Sequence, residues 1–242
     1  MPNLDRRFWI THGVAPFLVF VVVAALLATT DIDLKISDTW FFDAAARAFP
    51  ARNAWWARDL LHHGGRDVVR LVALGTLLAL GASFVGTRRR HWRRPAAYLF
   101  TSMVLAVSLV GGLKQLTNVD CPWDLERYGG TRPFVHLFAD RPDALPHAAC
   151  FPGAHSSSGF ALVAFYFLLR GRRPAAARVA LAGALFIWGA FSFAQQARGA
   201  HFLSHDLWSV FLVWFTCLGL YAYVWRGRVM SAAHPPAVVL RA

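Results

Sequence analysis

Long uncharged apolar runs recur along the chain, separated by short segments dense in arginine. The runs extend from Gly13 to Thr30, Leu71 to Thr87, Pro95 to Leu113, Val179 to Ala197 and Leu207 to Trp225. Each is close to the roughly 20 residues that an α-helix needs to cross the hydrocarbon core of a bilayer. A sixth run, Ser156 to Leu169, is shorter, but beginning it at Pro152, a favoured first-turn residue, lengthens it to a crossing that carries His155 in its first turn. The pattern predicts an all-α, polytopic membrane protein with about six transmembrane helices.

Arginine sets the expected orientation. Arg6 and Arg7 precede the first run; Arg88, Arg89, Arg90, Arg93 and Arg94 follow the second; Arg170, Arg172, Arg173 and Arg178 follow the fourth; Arg226, Arg228 and Arg241 follow the sixth. Short basic segments stay on the cytoplasmic side, so both termini are expected there. The outer face then receives Asp31 to Arg70, Thr117 to Phe151 and the turn from Arg198 to His205. In the first outer loop Trp40, Phe41, Phe42, Phe49, Trp55, Trp56, Leu60 and Leu61 alternate with Arg47, Arg52 and Arg58. That mixture predicts one or two short amphipathic helices at the headgroups, read as an interfacial anchor, with a lateral entry for lipid as the alternative.

The composition, 57% hydrophobic and 16% charged, agrees with a membrane class. The net charge of +12 is mostly the arginine excess just described, so nucleic acid is discounted as a partner. The first apolar run is too long for the core of a secretory signal and no small-residue cleavage site follows it, which favours a retained anchor. One domain, residues 1–242, is expected, with its core at about 95–225 and a disordered tail at 231–242. The oligomeric state is not set by the sequence.

Polar groups at the ends of apolar segments single out the chemistry. Lys114 closes the third run, His155 sits in Phe151-Pro-Gly-Ala-His-Ser-Ser-Ser-Gly, and His201 in Arg198-Gly-Ala-His-Phe-Leu-Ser-His-Asp206. A cation and two imidazoles are expensive in a membrane and default to a functional reading. All three fall on the predicted outer face. Attack on a phosphate ester needs fixed cations, free backbone amides and a proton donor for the leaving oxygen. Lys114 and Arg198 offer charge, Gly153 and Ala154 lie at an expected helix N-terminus where amides favour an anion, and His155 and His201 offer acid and nucleophile. Ser156, next along, is counted with the phosphate-binding positions, although the serine run Ser156 to Ser158 lacks the frame of a nucleophile elbow and is read mainly as local packing. Remaining histidines such as His12, His62, His63, His91, His136, His147 and His234 are expected at polar surfaces. Cys217 is read as a packing residue; Cys121 and Cys150 bracket the second outer loop and could form a disulfide, free thiols being the alternative.

At these residues the chain resembles the type-2 phosphatidate phosphatase superfamily, integral-membrane lipid phosphatases that share a helical core with vanadium haloperoxidases. The family carries three signatures: Lys, six residues, Arg-Pro; Pro-Ser-Gly-His; and Ser-Arg, five residues, His, three residues, Asp. Here they read Lys114 to Cys121-Pro122, Pro152-Gly153-Ala154-His155, and Ala194-Gln195 to His201 and His205. The order and spacing agree while three letters differ. Cys121 replaces an arginine, for which Arg127 or Arg132 of the same loop would substitute. Gln195 replaces another, with Arg198 one helical turn on. His205 replaces the aspartate that orients the nucleophile, and the resemblance implies Asp206 in that role with His205 as runner-up.

The resemblance implies a phosphatase of an amphiphilic phosphomonoester or diphosphate, of lipid A, undecaprenyl diphosphate or phosphatidylglycerophosphate type, at the periplasmic face of a bacterial inner membrane. His201 would form a phosphohistidine and His155 would protonate the leaving oxygen. No cofactor and no metal is expected, since His201 and His205 lack a third ligand. The alternatives are a lipid phosphotransferase with the same intermediate, or a catalytically silent phospholipid-binding protein.

Overall fold

The computed structural model describes residues 4–137 and 139–232, with side chains to Trp225. The expected disordered tail begins inside the last helix at 231 and 232; the rest of it, 233–242, lies outside the described residues. The fold is all-α, and no strand occurs among the described residues. In chain order the elements are α1 Arg6–Thr29, α2 Ile32–Trp40, a π-helical stretch Trp56–Gly64 that runs directly into α3 Gly65–Ala82, α4 Arg93–Leu116, α5 Ala154–Leu169, α6 Pro174–Ala197 and α7 Leu203–Ala232.

Helix ends differ from the apolar runs because backbone hydrogen bonding, not hydropathy, decides where a helix stops. α1 starts seven residues before Gly13, where the Asp5 carboxylate accepts the Phe8 N–H at 2.8 Å as an N-cap. α3 begins six residues ahead of Leu71, and the chain leaves it at Ser83, short of Thr87. Among the described residues, four helical segments are long and apolar enough to cross a membrane: Arg6–Thr29, Arg90–Leu116, Pro174–Ala197 and Leu203–Trp225. α3 carries Arg66, Asp67 and Arg70 in its first turns and is not one of them, and α5 is a shorter apolar helix.

That shorter helix is the one the others surround. Ala161, Val163, Ala164 and Phe167 of α5 are completely buried against Tyr98, Met103 and Val110 of α4 and Val213, Cys217 and Tyr221 of α7. Small residues allow the close approach: a Cβ on Gly159 would stand 2.9 Å from the Phe191 ring of α6, and one on Gly65 would stand 2.4 Å from it. α1, in contrast, exposes Val14, Phe17, Leu18, Val19 and Val22, the surface expected of a helix facing lipid.

A second, smaller core caps one end of the bundle, built from Leu34, Phe49, Leu125, Tyr128 and Phe202. For the one or two short helices expected in 31–70, two stand before α3, namely α2 and Trp56–Gly64; Trp40 and Trp55 are exposed while Phe49 and Ala57 are buried. The segment between α4 and α5 is pinned to this cap. Cys121 and Cys150 are joined with Cα atoms 5.2 Å apart, Cys150 N–H donates to Val119 at 3.0 Å, and the Thr117 hydroxyl donates to the Phe151 carbonyl. The last turn of α4 and the first turn of α5 are thereby held side by side.

Candidate active site

Three local features aim the side chains. Lys114 rides the final turn of α4, and His155 is the second residue of α5. Gly199, with φ of 72°, turns the chain out of α6 so that His201 enters from the short link to α7. A Cβ at Gly199 would also collide with the Phe49 ring at 2.3 Å, so both conformation and contact demand glycine. Lys114, His155, His201 and Gln195 line a single cavity of about 480 Å³, whose apolar wall includes Val69, Met103, Val104 and Val107 from α3 and α4.

The deepest part of the site is a buried carboxylate. Asp206 Oδ1 lies 2.7 Å from His201 Nδ1 and accepts the Ser156 hydroxyl at 2.7 Å, while Oδ2 accepts the Ser192 hydroxyl at 2.6 Å. Gln196 Nε2 donates to Ser192 Oγ at 2.9 Å and so fixes that hydroxyl's direction. These donors satisfy both oxygens of a carboxyl group that has no solvent contact. With its Nδ1–H given to Asp206, His201 keeps the lone pair on Nε2 for the cavity.

Gly153 has a role different from the one expected. Its N–H donates to the His205 carbonyl at 2.9 Å and its carbonyl accepts the Ser157 N–H and the Ser209 hydroxyl, so its amide is not free for an anion. A Cβ there would stand 2.4 Å from Asp206 Oδ1 and 3.0 Å from His201 Nδ1. Glycine is required because the His–Asp pair occupies the space. Ala154 does line the cavity, and a residue in the first turn of a helix has no intrahelical acceptor for its N–H. Ser156 faces Asp206 and is spent on it.

His155 stacks on Phe191 with centroids 4.3 Å apart, and its Nε2–H donates to the Leu61 carbonyl at 3.1 Å. Next to it stands His62, 4.6 Å between rings, which also lines the cavity. Burial, reinforced by the Arg198 charge, pushes the His62 pKa down to about 4, so this imidazole is neutral at physiological pH. Sequence reasoning assigned His62 to the surface and passed over Arg66, Ser192 and Ser209. The clue in the sequence was the His62–Arg66 spacing ahead of an apolar run.

The other expected residues are placed elsewhere. His205 is fully buried between Phe151 and Phe202, and its ring centroid is 6.1 Å from that of His201; it does not face His201 Nδ1. Arg198 donates to Gln195 Oε1 at 2.8 Å and to the Arg52 carbonyl at 3.2 Å, so its charge stands behind the Gln195 amide. Arg127 is paired with Asp38 and Arg132 with Asp120, which also holds Arg141 at 2.9 Å. Burial raises the Asp120 pKa, but the hydrogen bonds from Arg141 and Arg132 outweigh it and hold the carboxyl below its ordinary value. Neither Arg127 nor Arg132 lines the cavity. No cluster of three or more His, Cys, Asp or Glu suited to a metal ion occurs among the described residues.

With a histidine oriented by a buried aspartate, a second histidine and a lysine in one cavity, comparison with known families is informative. The family model described as PAP2 superfamily matches residues 95–228. This chain belongs to the PAP2 superfamily. No curated protein and no solved structure matches it. Members of the PAP2 superfamily are phosphatases, which makes hydrolysis of a phosphoric ester the activity class. The matched segment spans α4 to α7 and contains Lys114, His155, His201 and Asp206, whereas His62 and Arg66 precede it.

Proposed function

We propose that this PAP2 protein is a multi-pass enzyme of a bacterial inner membrane that dephosphorylates an amphiphilic lipid at the periplasmic face, through a phosphohistidine on His201. The reading carries six crossings, adding α3 and α5 to the four longer apolar helices, with the polar first turn of α5, His155 to Ser158, covered by protein, and cytoplasmic termini from the arginine pattern. Residues 1–242 form one domain in this reading. The single observation that supports it most is the 2.7 Å contact between His201 Nδ1 and Asp206, at the wall of a cavity that also holds Lys114 and His155.

In the proposed reaction His201 Nε2 attacks phosphorus and the bond to the lipid oxygen breaks. His155, protonated also on Nδ1 once the phosphate dianion stands beside it, gives that oxygen the Nδ1 proton while Nε2–H stays on Leu61, and regains a proton from the water of the second step. Asp206 stabilises the positive imidazole, and Lys114, with Arg198 acting through Gln195, offsets charge on the other phosphoryl oxygens. Water then attacks the phosphohistidine, releasing phosphate and restoring His201. The apolar wall from α3 and α4 supports a substrate with a hydrocarbon part.

The test is turnover by purified protein in mixed micelles with phosphatidylglycerophosphate, undecaprenyl diphosphate or lipid A, with and without a second lipid as acceptor. Phosphate release is expected, together with acid-labile, alkali-stable label on the protein after short incubation. Transfer of label only to the acceptor would mean a phosphotransferase, and binding without release would mean a silent lipid-binding relative.

A further inference from the structure

The cavity is short of committed positive charge. Lys114 is the cation that the matched segment places on its wall; Cys121 is tied in the disulfide and Gln195 is neutral. A phosphoryl group passing through a trigonal transition state presents three equatorial oxygens, more than one ammonium can offset. Nearby guanidinium groups are occupied: Arg198 by Gln195 and Arg52, Arg132 by Asp120, Arg127 by Asp38 and Arg70 by Asp67 at 3.0 Å.

Arg66 differs from these. Like Arg70 it lines the cavity, but unlike Arg70, which is bonded to Asp67, its Nε is buried without a hydrogen-bond partner although the side chain as a whole is 39% exposed; the remaining contacts are Nη2 with His63 Nδ1 at 3.3 Å and Nε at 4.0 Å from Asp67, too long for a bond. His62, one turn earlier, lines the same cavity with a buried Nδ1 that is likewise unpartnered. A buried guanidinium N–H and a buried imidazole nitrogen left without partners forfeit hydration with nothing in return, and each such loss needs an explanation.

We propose that Arg66 is a phosphate-binding residue of this site, with His62 beside it as a second donor, and that the pair replaces the arginines missing at Cys121 and Gln195. The inference rests on the phosphatase reading of the cavity. Neutral His62 adds a hydrogen-bond donor without adding repulsion toward Lys114 and Arg66. The planar guanidinium can grip two phosphoryl oxygens at once, which an ammonium cannot.

The experiment titrates inorganic phosphate into the purified full-length protein by calorimetry and measures turnover of phosphatidylglycerophosphate, undecaprenyl diphosphate and lipid A in parallel. Arg66→Ala is expected to weaken phosphate binding by roughly 10-fold or more, the scale of one lost charge-assisted hydrogen bond. Arg66→Lys should fall between that and wild type, and exposed Arg58→Ala, away from the cavity, should bind as wild type. If Arg66→Ala elutes as aggregate, Arg66→Lys decides, and wild-type affinity and KM in that variant overturn the proposal. Undiminished phosphate binding by folded Arg66→Ala, or an equal loss in Arg58→Ala, also overturns it. Wild-type turnover with Arg66→Ala unaffected removes Arg66 and leaves the hydrolase standing. Phosphate binding without wild-type turnover removes the hydrolase and leaves Arg66 to the titration, and a wild-type protein that does neither overturns both.

Discussion

His201 Nδ1 and Asp206 Oδ1 stand 2.7 Å apart at 2% and 0% side-chain exposure, a contact sealed from solvent. The contact fixes which ring nitrogen of His201 faces the cavity, and the predicted consequence is catalytic. Asp206→Asn should lower kcat by about 100-fold or more with little change in KM, because the negative charge matters only as the imidazole becomes positive. His201→Ala should abolish turnover while leaving membrane insertion intact. Near-normal kcat in either variant would exclude the pair from the chemistry.

Gly153→Ala is expected to separate this pair by sterics alone. The added methyl would meet Asp206 Oδ1 at 2.4 Å and Ser156 Oγ at 2.7 Å, atoms of a hydrogen-bonded network with no room to yield. Overpacking of this kind costs about 1–3 kcal/mol, so thermal stability and activity should fall together. A variant as stable and active as wild type would show that the network is looser than its distances suggest.

Arg198 acts through Gln195 in the proposed reaction, and exchanging the two tests it. Arg198→Gln alone should lose most activity, whereas the double variant Gln195→Arg with Arg198→Gln returns a cation to the same helix face and should recover much of it. Equal loss in both would assign Arg198 to holding Arg52 rather than to phosphate.

Asp120 carries a linkage prediction with a definite sign. Its folded pKa lies below the ordinary 3.8, so the stabilisation it gives is complete above that value and is lost as pH falls through the folded pKa. Unfolding monitored between about pH 5 and 2 should therefore show an acid-dependent component that Asp120→Asn removes, at the expense of lower stability at neutral pH. An unchanged acid profile in that variant would rule out the Asp120 cluster as its source.

The disulfide joins the ends of the same loop, across a sequence separation of 29. In the chain-entropy model a loop of this length contributes roughly 3–4 kcal/mol, so Cys150→Ser should lower stability on that scale and reduce activity by loosening α5 relative to α4. Alkylation of unfolded, unreduced protein should modify one thiol, Cys217; modification of three would refute the bridge.

Helix class and membrane character were legible from the sequence because the length of an apolar run and the spacing of a motif are properties of the chain itself. The signature spacing likewise singles out Lys114, His155 and His201, which the fold brings to one cavity. The resemblance favoured Asp206 over His205 as the partner of His201, but spacing alone could not decide: the two are adjacent at the start of a helix, point about 100° apart, and the packing of α5 and α6 against α7 turns Asp206 toward His201. Nor could spacing tell that Arg127 and Arg132 would be captured by Asp38 and Asp120, or that Gly153 would use its amide on His205. His62 and Arg66 reach the cavity from far upstream, and the His62 ring meets that of His155 across more than 90 positions, as the Leu61 carbonyl does at a separation of 94. Such contacts arise from the packing of α3 against α4 and α5, and a linear pattern holds no record of which faces meet.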